Sequence, residues 1–275
     1  MAHVLLPTDL SDNALNAAVY AVRLFGGEGN RFTVLNTYVV SQGTTIDMWD
    51  ASDMIVRGFR EGLDRSVERL RAAFPGMDLD LEAVCVYGDL STVIAGYAGE
   101  DEPPAMVVMG TQGASGLDEV LFGSNTASVI KHGHLPVLAV PAQAEYKTPR
   151  RVLLADDGGP TDKQTLSPLI DIARWSQSEI TVVRVMDEAG NTENSGGVAQ
   201  LYDVLLGAIP HTQQFLSGHD VGAALNDLAD QSDADLLVVL HRDRGVFEGL
   251  FHRSVAANMA MHTHLPLLVL QQPRL

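Results

Sequence analysis

The chain is short of cysteine, of lysine and of long apolar runs. Its 275 residues include one cysteine, Cys85. A single thiol makes no intramolecular disulfide, which excludes a disulfide-held secreted scaffold and fits a reducing cytoplasm. Lysine occurs only as Lys131, Lys147 and Lys163, arginine carries the remaining positive charge, and aspartate outnumbers glutamate. The net charge of −17 argues against nucleic acid or an anionic membrane as partner. Two readings of the acidity stand side by side: an ordinary acidic chain, or adaptation to high salt, where screening relieves self-repulsion. No apolar run approaches the length of a membrane span. The opening MAHVLLPTDL reads as a strand and turn, not as a signal peptide.

What the chain does have is glycine, placed with a pattern. Residues 106–141 read MVVMGTQGASGLDEVLFGSNTASVIKHGHLPVLAVP. A buried-strand run, Met106 to Met109, leads into a loop with Gly110, Gly113 and Gly116. Gly123-Ser124 then opens a helix pattern, and a second apolar run closes the stretch. Strand, glycine loop and helix start is how an α/β protein offers backbone N–H groups to a phosphate. The spacing is neither that of a Walker A loop, which ends in Gly-Lys-Ser/Thr, nor that of a dinucleotide fingerprint, which follows a first strand.

The stretch recurs. Residues 88–136 align without a gap onto residues 218–266. The strand, Ser124, His132, His134 and Pro136 all have counterparts (Ser254, His262, His264 and Pro266). The glycines do not: Gly110 becomes Leu240, Gly113 becomes Asp243, Gly116 becomes Val246 and Gly123 becomes Arg253. The scaffold repeats while the phosphate chemistry is lost, which favours ligand over fold as the purpose of the glycines.

At 46% hydrophobic content each half is long enough for its own core. The expected domains are residues 1–143 and 150–275, joined by a polar, aperiodic linker at 142–149. In the first, strands are expected at 3–6, 31–40, 79–86, 105–109 and 136–140. Helices are expected after Ser11 or Asp12, over a face of Val56, Phe59, Leu63, Val67, Leu70 and Phe74, and at 90–98; residues 41–51 read as a loop. The second half repeats the order, with strands at 151–155, 179–185, 211–215, 236–240 and 266–270 and helices at 165–175, 198–209 and 219–229. Alternating strands and helices predict an α/β fold: two tandem doubly wound, parallel, five-stranded sheets of Rossmann-like type. Right-handed crossovers put Pro7-Thr8-Asp9 and the Gly110 loop on opposite sides of one crevice. The apolar edge strands at 137–140 and 267–270 are expected to pair, making an intrachain pseudo-dimer.

The opening VLLPTDLSDNA together with Gly110, Gly113 and Gly123-Ser124 resembles the universal stress protein family, in its tandem form. The resemblance covers essentially the whole chain. It implies the adenine-nucleotide α-hydrolase-like fold, a cytoplasmic location and a regulatory, stress-response role with bound ATP, accompanied by magnesium. Carried over, Asp9 would contact ribose or adenine above a floor of Pro7 and Thr8. Val39 would meet adenine through its backbone, although Asn36-Thr37-Tyr38 departs from the family's usual strand end. Met109 would border the nucleotide, and Gly110, Gly113, Gly123, Ser124 and Asn125 would hold its phosphates. The second half resembles the degenerate, non-binding repeats of tandem members.

Other candidates are weaker. His132-Gly133-His134 and its copy have metal-like spacing but also sit at a helix C-terminus, where histidine suits the dipole. Asp156-Asp157-Gly158-Gly159 lacks the ligand series of a calcium loop and reads as an acidic turn. Arg242, Arg244 and Arg253 read either as a second anion site or as a charged face. Three functions remain open: a nucleotide-binding regulator, an enzyme cleaving at the α-phosphate, and a nucleotide-free interaction scaffold. With no general base, arginine finger or dedicated lysine beside the loop, the chain is at most a slow ATPase.

Overall fold

The computed structural model describes residues 2–26, 29–39, 48–111, 123–186, 195–217, 221–241 and 265–272. In the first half, five strands run parallel: β1 (His3–Pro7), β2 (Arg31–Tyr38), β3 (Asp80–Tyr87), β4 (Met106–Gly110) and β5 (Val137–Val140). Between them lie α1 (Asp12–Phe25), α2 (Met48–Ala72), α3 (Leu90–Ala98) and α4 (Ser124–His132). The second half carries β6 (Arg151–Ala155), β7 (Glu179–Met186), β8 (His211–Ser217), β9 (Leu236–His241) and β10 (Leu267–Gln271), with α5 (Ser167–Ser176), α6 (Ser195–Leu206) and α7 (Val221–Gln231).

The two halves share one ten-stranded sheet of order β3-β2-β1-β4-β5-β10-β9-β6-β7-β8. The seam is antiparallel, with Leu138 opposite Leu268. All other neighbours are parallel. The two apolar edges expected from the sequence thus cover each other.

The strands are apolar on both sides because helices cover both faces. Successive residues alternate between the layers. Val4 and Leu6 belong to the layer covered by α1 and α2 in the first half and continued by α5 and α6 in the second, whereas Leu5 belongs to the opposite layer of α3, α4 and α7. On α1, the small side chains Ala14, Ala17, Ala18 and Ala21 are buried. Ser11 caps that helix by accepting from the Ala14 N–H at 3.2 Å, and Gly26 ends it at φ 74°. Asn16 donates from Nδ2 to the Ala144 carbonyl at 3.1 Å, and Tyr20 meets Tyr146 edge to face. The linker is therefore held down along α1.

Boundaries differ where apolar periodicity is silent. Helix α2 begins at Met48, inside the segment expected to be a loop. Helix α6 begins at Ser195, three residues before Val198, and ends at Leu206; α7 begins at Val221 and α5 at Ser167. Residues 187–197 read from the sequence as a loop; of these 187–194 lie outside the described residues and 195–197 open α6. Cys85, expected to be buried, is half-buried on β3.

Helix α3 begins where the sequence says it should. Asp89 accepts from the Ser91 hydroxyl at 2.6 Å and from the Ser91 and Thr92 N–H groups at 3.0 and 3.2 Å. These bonds, the Ser91 hydroxyl first, hold its carboxyl below the usual aspartate range. A lowered folded pKa means stability that is present above the unfolded value and lost as pH falls through the folded one. We expect Asp89→Ala to cost about 0.5–2 kcal/mol at neutral pH. The gap from wild type should narrow below about pH 4. Urea unfolding of both proteins at the two pH values checks this.

Candidate functional site

The chain leaves β1 for β2 on one side and later returns to β4 on the other. Ligands bind at such a switch point, beyond the carboxyl ends of the strands. A cavity of about 370 Å³ lies there. Pro7, Thr8 and Asp9 form one wall, and Met109 and Gly110 the facing one. Gly123, Ser124, Asn125 and Thr126 bring the start of α4 to the same space. The crevice expected from the crossovers is thus formed by the residues expected to form it.

The first wall is a turn held by its own side chains. The Thr8 N–H continues the strand ladder to the Leu35 carbonyl at 2.8 Å. Thr8 Oγ1 then accepts from the Leu10 N–H at 3.0 Å, and Asp9 Oδ1 from the Ser11 N–H at 3.1 Å. Between them Leu10 takes φ 70°, a left-handed conformation rare for a bulky residue. The turn leaves the Asp9 side of the cavity polar and exposed.

The second wall depends on glycine. A β-carbon on Gly110 would lie 2.6–2.9 Å from the amide atoms of Asn13. Asn13 of α1 therefore occupies the space that a side chain at 110 would need, so packing within the fold requires glycine here, contrary to the expectation that ligand alone explains it. Below it, Thr126 Oγ1 donates to the Gly110 carbonyl at 2.9 Å, and the Gly123 N–H donates to the Thr111 carbonyl at 2.7 Å. These bonds tie α4 to the end of β4. Gly123 is the N-cap of α4 and supplies no side-chain cap, so the helix start presents its backbone N–H groups and positive dipole end to the cavity. Asp9 is the one charged side chain among the described residues that line it.

Eight expected residues meet here: Pro7, Thr8, Asp9, Met109, Gly110, Gly123, Ser124 and Asn125. Gly113, with Gly116, lies outside the described residues. Val39 is 68% exposed and stands outside the lining; at that strand end Asn36 and Thr37 line the cavity instead. Asn36, 4% exposed, donates from Nδ2 to the Thr8 carbonyl at 2.7 Å and so joins β2 to the first wall. Sequence reasoning passed over Asn36, Asn13 and Thr126. The signal for Asn36 was a polar residue in a strand otherwise buried; Asn13 and Thr126 left none that spacing could isolate.

In the second half Leu240, 1% exposed, stands where Gly110 does. Asp243, Val246, Arg253, His262 and His264 lie outside the described residues, as do Arg242 and Arg244. Asp156 and Asp157 form the expected acidic turn, accepting from the Gly158 and Gly159 N–H groups at 3.1 and 3.0 Å. His132 ends α4, beside Lys131 and exposed, at the pole where a cation is favoured.

The sequence model of the Universal stress protein family matches this chain twice, at residues 1–141 and 148–271. A universal stress protein of Mycolicibacterium smegmatis is 27% identical over 180 residues, which are 60% of this chain and 61% of that relative. One from Methanocaldococcus jannaschii is 26% identical over 137 residues, covering 50% of this chain and 80% of its own. The crystal structure of a universal stress protein from Archaeoglobus fulgidus superposes with a TM-score of 0.75 over 98% of both chains, at 18% identity; that likeness is one of fold. No helix among the described residues is long and apolar enough to cross a membrane.

Proposed function

The chain belongs to the universal stress protein family, as a tandem pair of its domains, and on that premise we propose that it is an ATP-binding regulatory protein whose first domain alone holds nucleotide. We take the domains as residues 1–143 and 150–275. The cavity between β1 and β4 carries the reading. Its volume falls within the range of small-molecule sites, about 300–1,000 Å³. One wall offers a carboxylate, Asp9, suited to a ribose hydroxyl. The other offers an uncapped helix start and a glycine-lined approach, suited to phosphate. Ser124 and Asn125 add side-chain donors beside those N–H groups. Among the described residues no group of three or more His, Cys, Asp or Glu is placed to hold a metal ion; magnesium would enter with the nucleotide.

Among the described lining residues there is no lysine or arginine to take up charge on a transferring phosphoryl group. Nucleotide would therefore be held and released, or hydrolysed slowly, and the protein would act by signalling occupancy from the cytoplasm. Isothermal titration of ATP into chain stripped of carried-over nucleotide should give one site per chain. Two sites would overturn the one-domain assignment. None would leave the nucleotide-free scaffold as the function.

A further inference from the structure

The second half repeats the strand ladder at the place where the first half has its cavity. The Asp156 N–H donates to the Val183 carbonyl at 2.8 Å, as the Thr8 N–H does to Leu35. Asp156 therefore stands for Thr8, and Arg184, next on β7, stands for Asn36. In the first half those two positions carry short side chains and border open space. In the second half they carry an acid and a long base that meet. Arg184 Nε donates to Asp156 Oδ2 at 2.9 Å, and a second guanidinium nitrogen pairs with the same oxygen. The Asp156 side chain is 2% exposed and that of Arg184 22%. The guanidinium carbon lies 3.4 Å from where a β-carbon on Gly158 would be, so the group rests against the turn that matches the first wall of the cavity. Tyr202 of α6 is fully buried, its hydroxyl near the same carboxylate but making no hydrogen bond to it.

We propose that Arg184, fixed by Asp156, is a built-in occupant of the second domain's nucleotide position, and that this pair helps decide which domain binds. The proposal rests on the reading that the first domain binds ATP. An incoming nucleotide would have to displace the guanidinium and leave Asp156 buried without its partner, which is strongly unfavourable. Restoring glycine at 240 and 253 would on this view leave the second domain closed. The glycines serve the phosphate end of the site; Arg184 fills the end where base and ribose would lie.

Two measurements on the full chain test this. The first transplants the pair: Thr8→Asp with Asn36→Arg. ATP affinity should fall by roughly a hundredfold or more, with the far-ultraviolet circular dichroism of wild type, since the loss of two or more contacts to a charged ligand is of that order. A folded double variant that binds ATP like wild type overturns the proposal. The second measurement needs no nucleotide and no new bulk. Arg184→Ala should melt earlier than wild type, and millimolar methylguanidinium should raise its melting temperature. The same ion should leave wild type and the double variant Arg184→Ala, Asp156→Asn unmoved. An equal effect on all three proteins overturns the proposal, whatever the transplant does. A wild-type chain that binds no ATP would defeat the nucleotide reading and the selective role with it, while the methylguanidinium result would still decide whether Arg184 fills a cavity.

Discussion

Gly123→Arg should lose nucleotide binding by roughly a hundredfold or more while keeping its fold, because several contacts to a charged ligand vanish together. Gly123 has φ −56° and ψ 151°, extended backbone that any residue adopts, so the substitution brings no strain at that position. It sits half-buried at the N-cap of α4 and lines the cavity. An arginine there would extend into the space a phosphate needs. A cation at a helix N-terminus also opposes the dipole, at a cost of about 0.3–1 kcal/mol, small enough to leave the domain folded. The second domain carries Arg253 at the aligned position. Gly123→Ala, which adds one carbon, should retain most of the affinity. Calorimetric titration reads the loss and circular dichroism the fold. If the arginine variant binds ATP as well as wild type, the phosphates do not meet α4 and the site has been misread.

Residues 1–143, expressed without the rest, should not remain a stable monomer. All four residues of β5 are fully buried, and one edge of that strand is covered by β10 alone. Removing the second domain leaves an apolar parallel edge with unpaired N–H and C=O groups, which is a template for pairing. In the whole chain the short linker keeps the second domain at high local concentration, so that pairing within the chain outcompetes pairing between chains. Sedimentation of the fragment should show dimers or larger species. A monomer as resistant to urea as the intact protein would mean that the seam contributes little.

Much of this was legible in the sequence because it rests on local rules. Asp89 followed by Ser91 and Thr92 marks a helix start through bonds between near neighbours, and α3 spans the residues that pattern gives. The turn at Pro7-Thr8-Asp9 and the glycines at 110 and 123 reached one cavity because parallel strands with right-handed crossovers leave little choice of where their ends lie. What the sequence hid depends on contacts across the fold. Asn13 matters because it fills the space beside Gly110, ninety-seven residues on. Asn36 matters through a bond to the Thr8 carbonyl on the neighbouring strand. The first turns of α2 were missed although Met48, Ala51 and Ile55 stand at helical spacing ahead of Phe59, because the polar residues around them, Asp47, Asp50, Ser52 and Asp53, read as a loop. Arg184 read as an ordinary strand residue until the register put it beside Asp156.

The seam has one more consequence, and it concerns choice of partner. In the ladder, Val137 faces Val269 and Ala139 faces Leu267, on either side of the central Leu138–Leu268 pair. These outer pairs are equivalent by the approximate twofold that relates the domains, yet one is medium against medium and the other small against large. Two copies of the first domain, joined in the same way, would set Val137 against Ala139 on both sides and leave the join underfilled. Two copies of the second would set Leu267 against Val269 twice and crowd it. Only the mixed pairing keeps the bulk even. The seam of the fused chain thus matches each half to the other better than to itself. When the separated halves are mixed, the unlike pair should displace both like pairs.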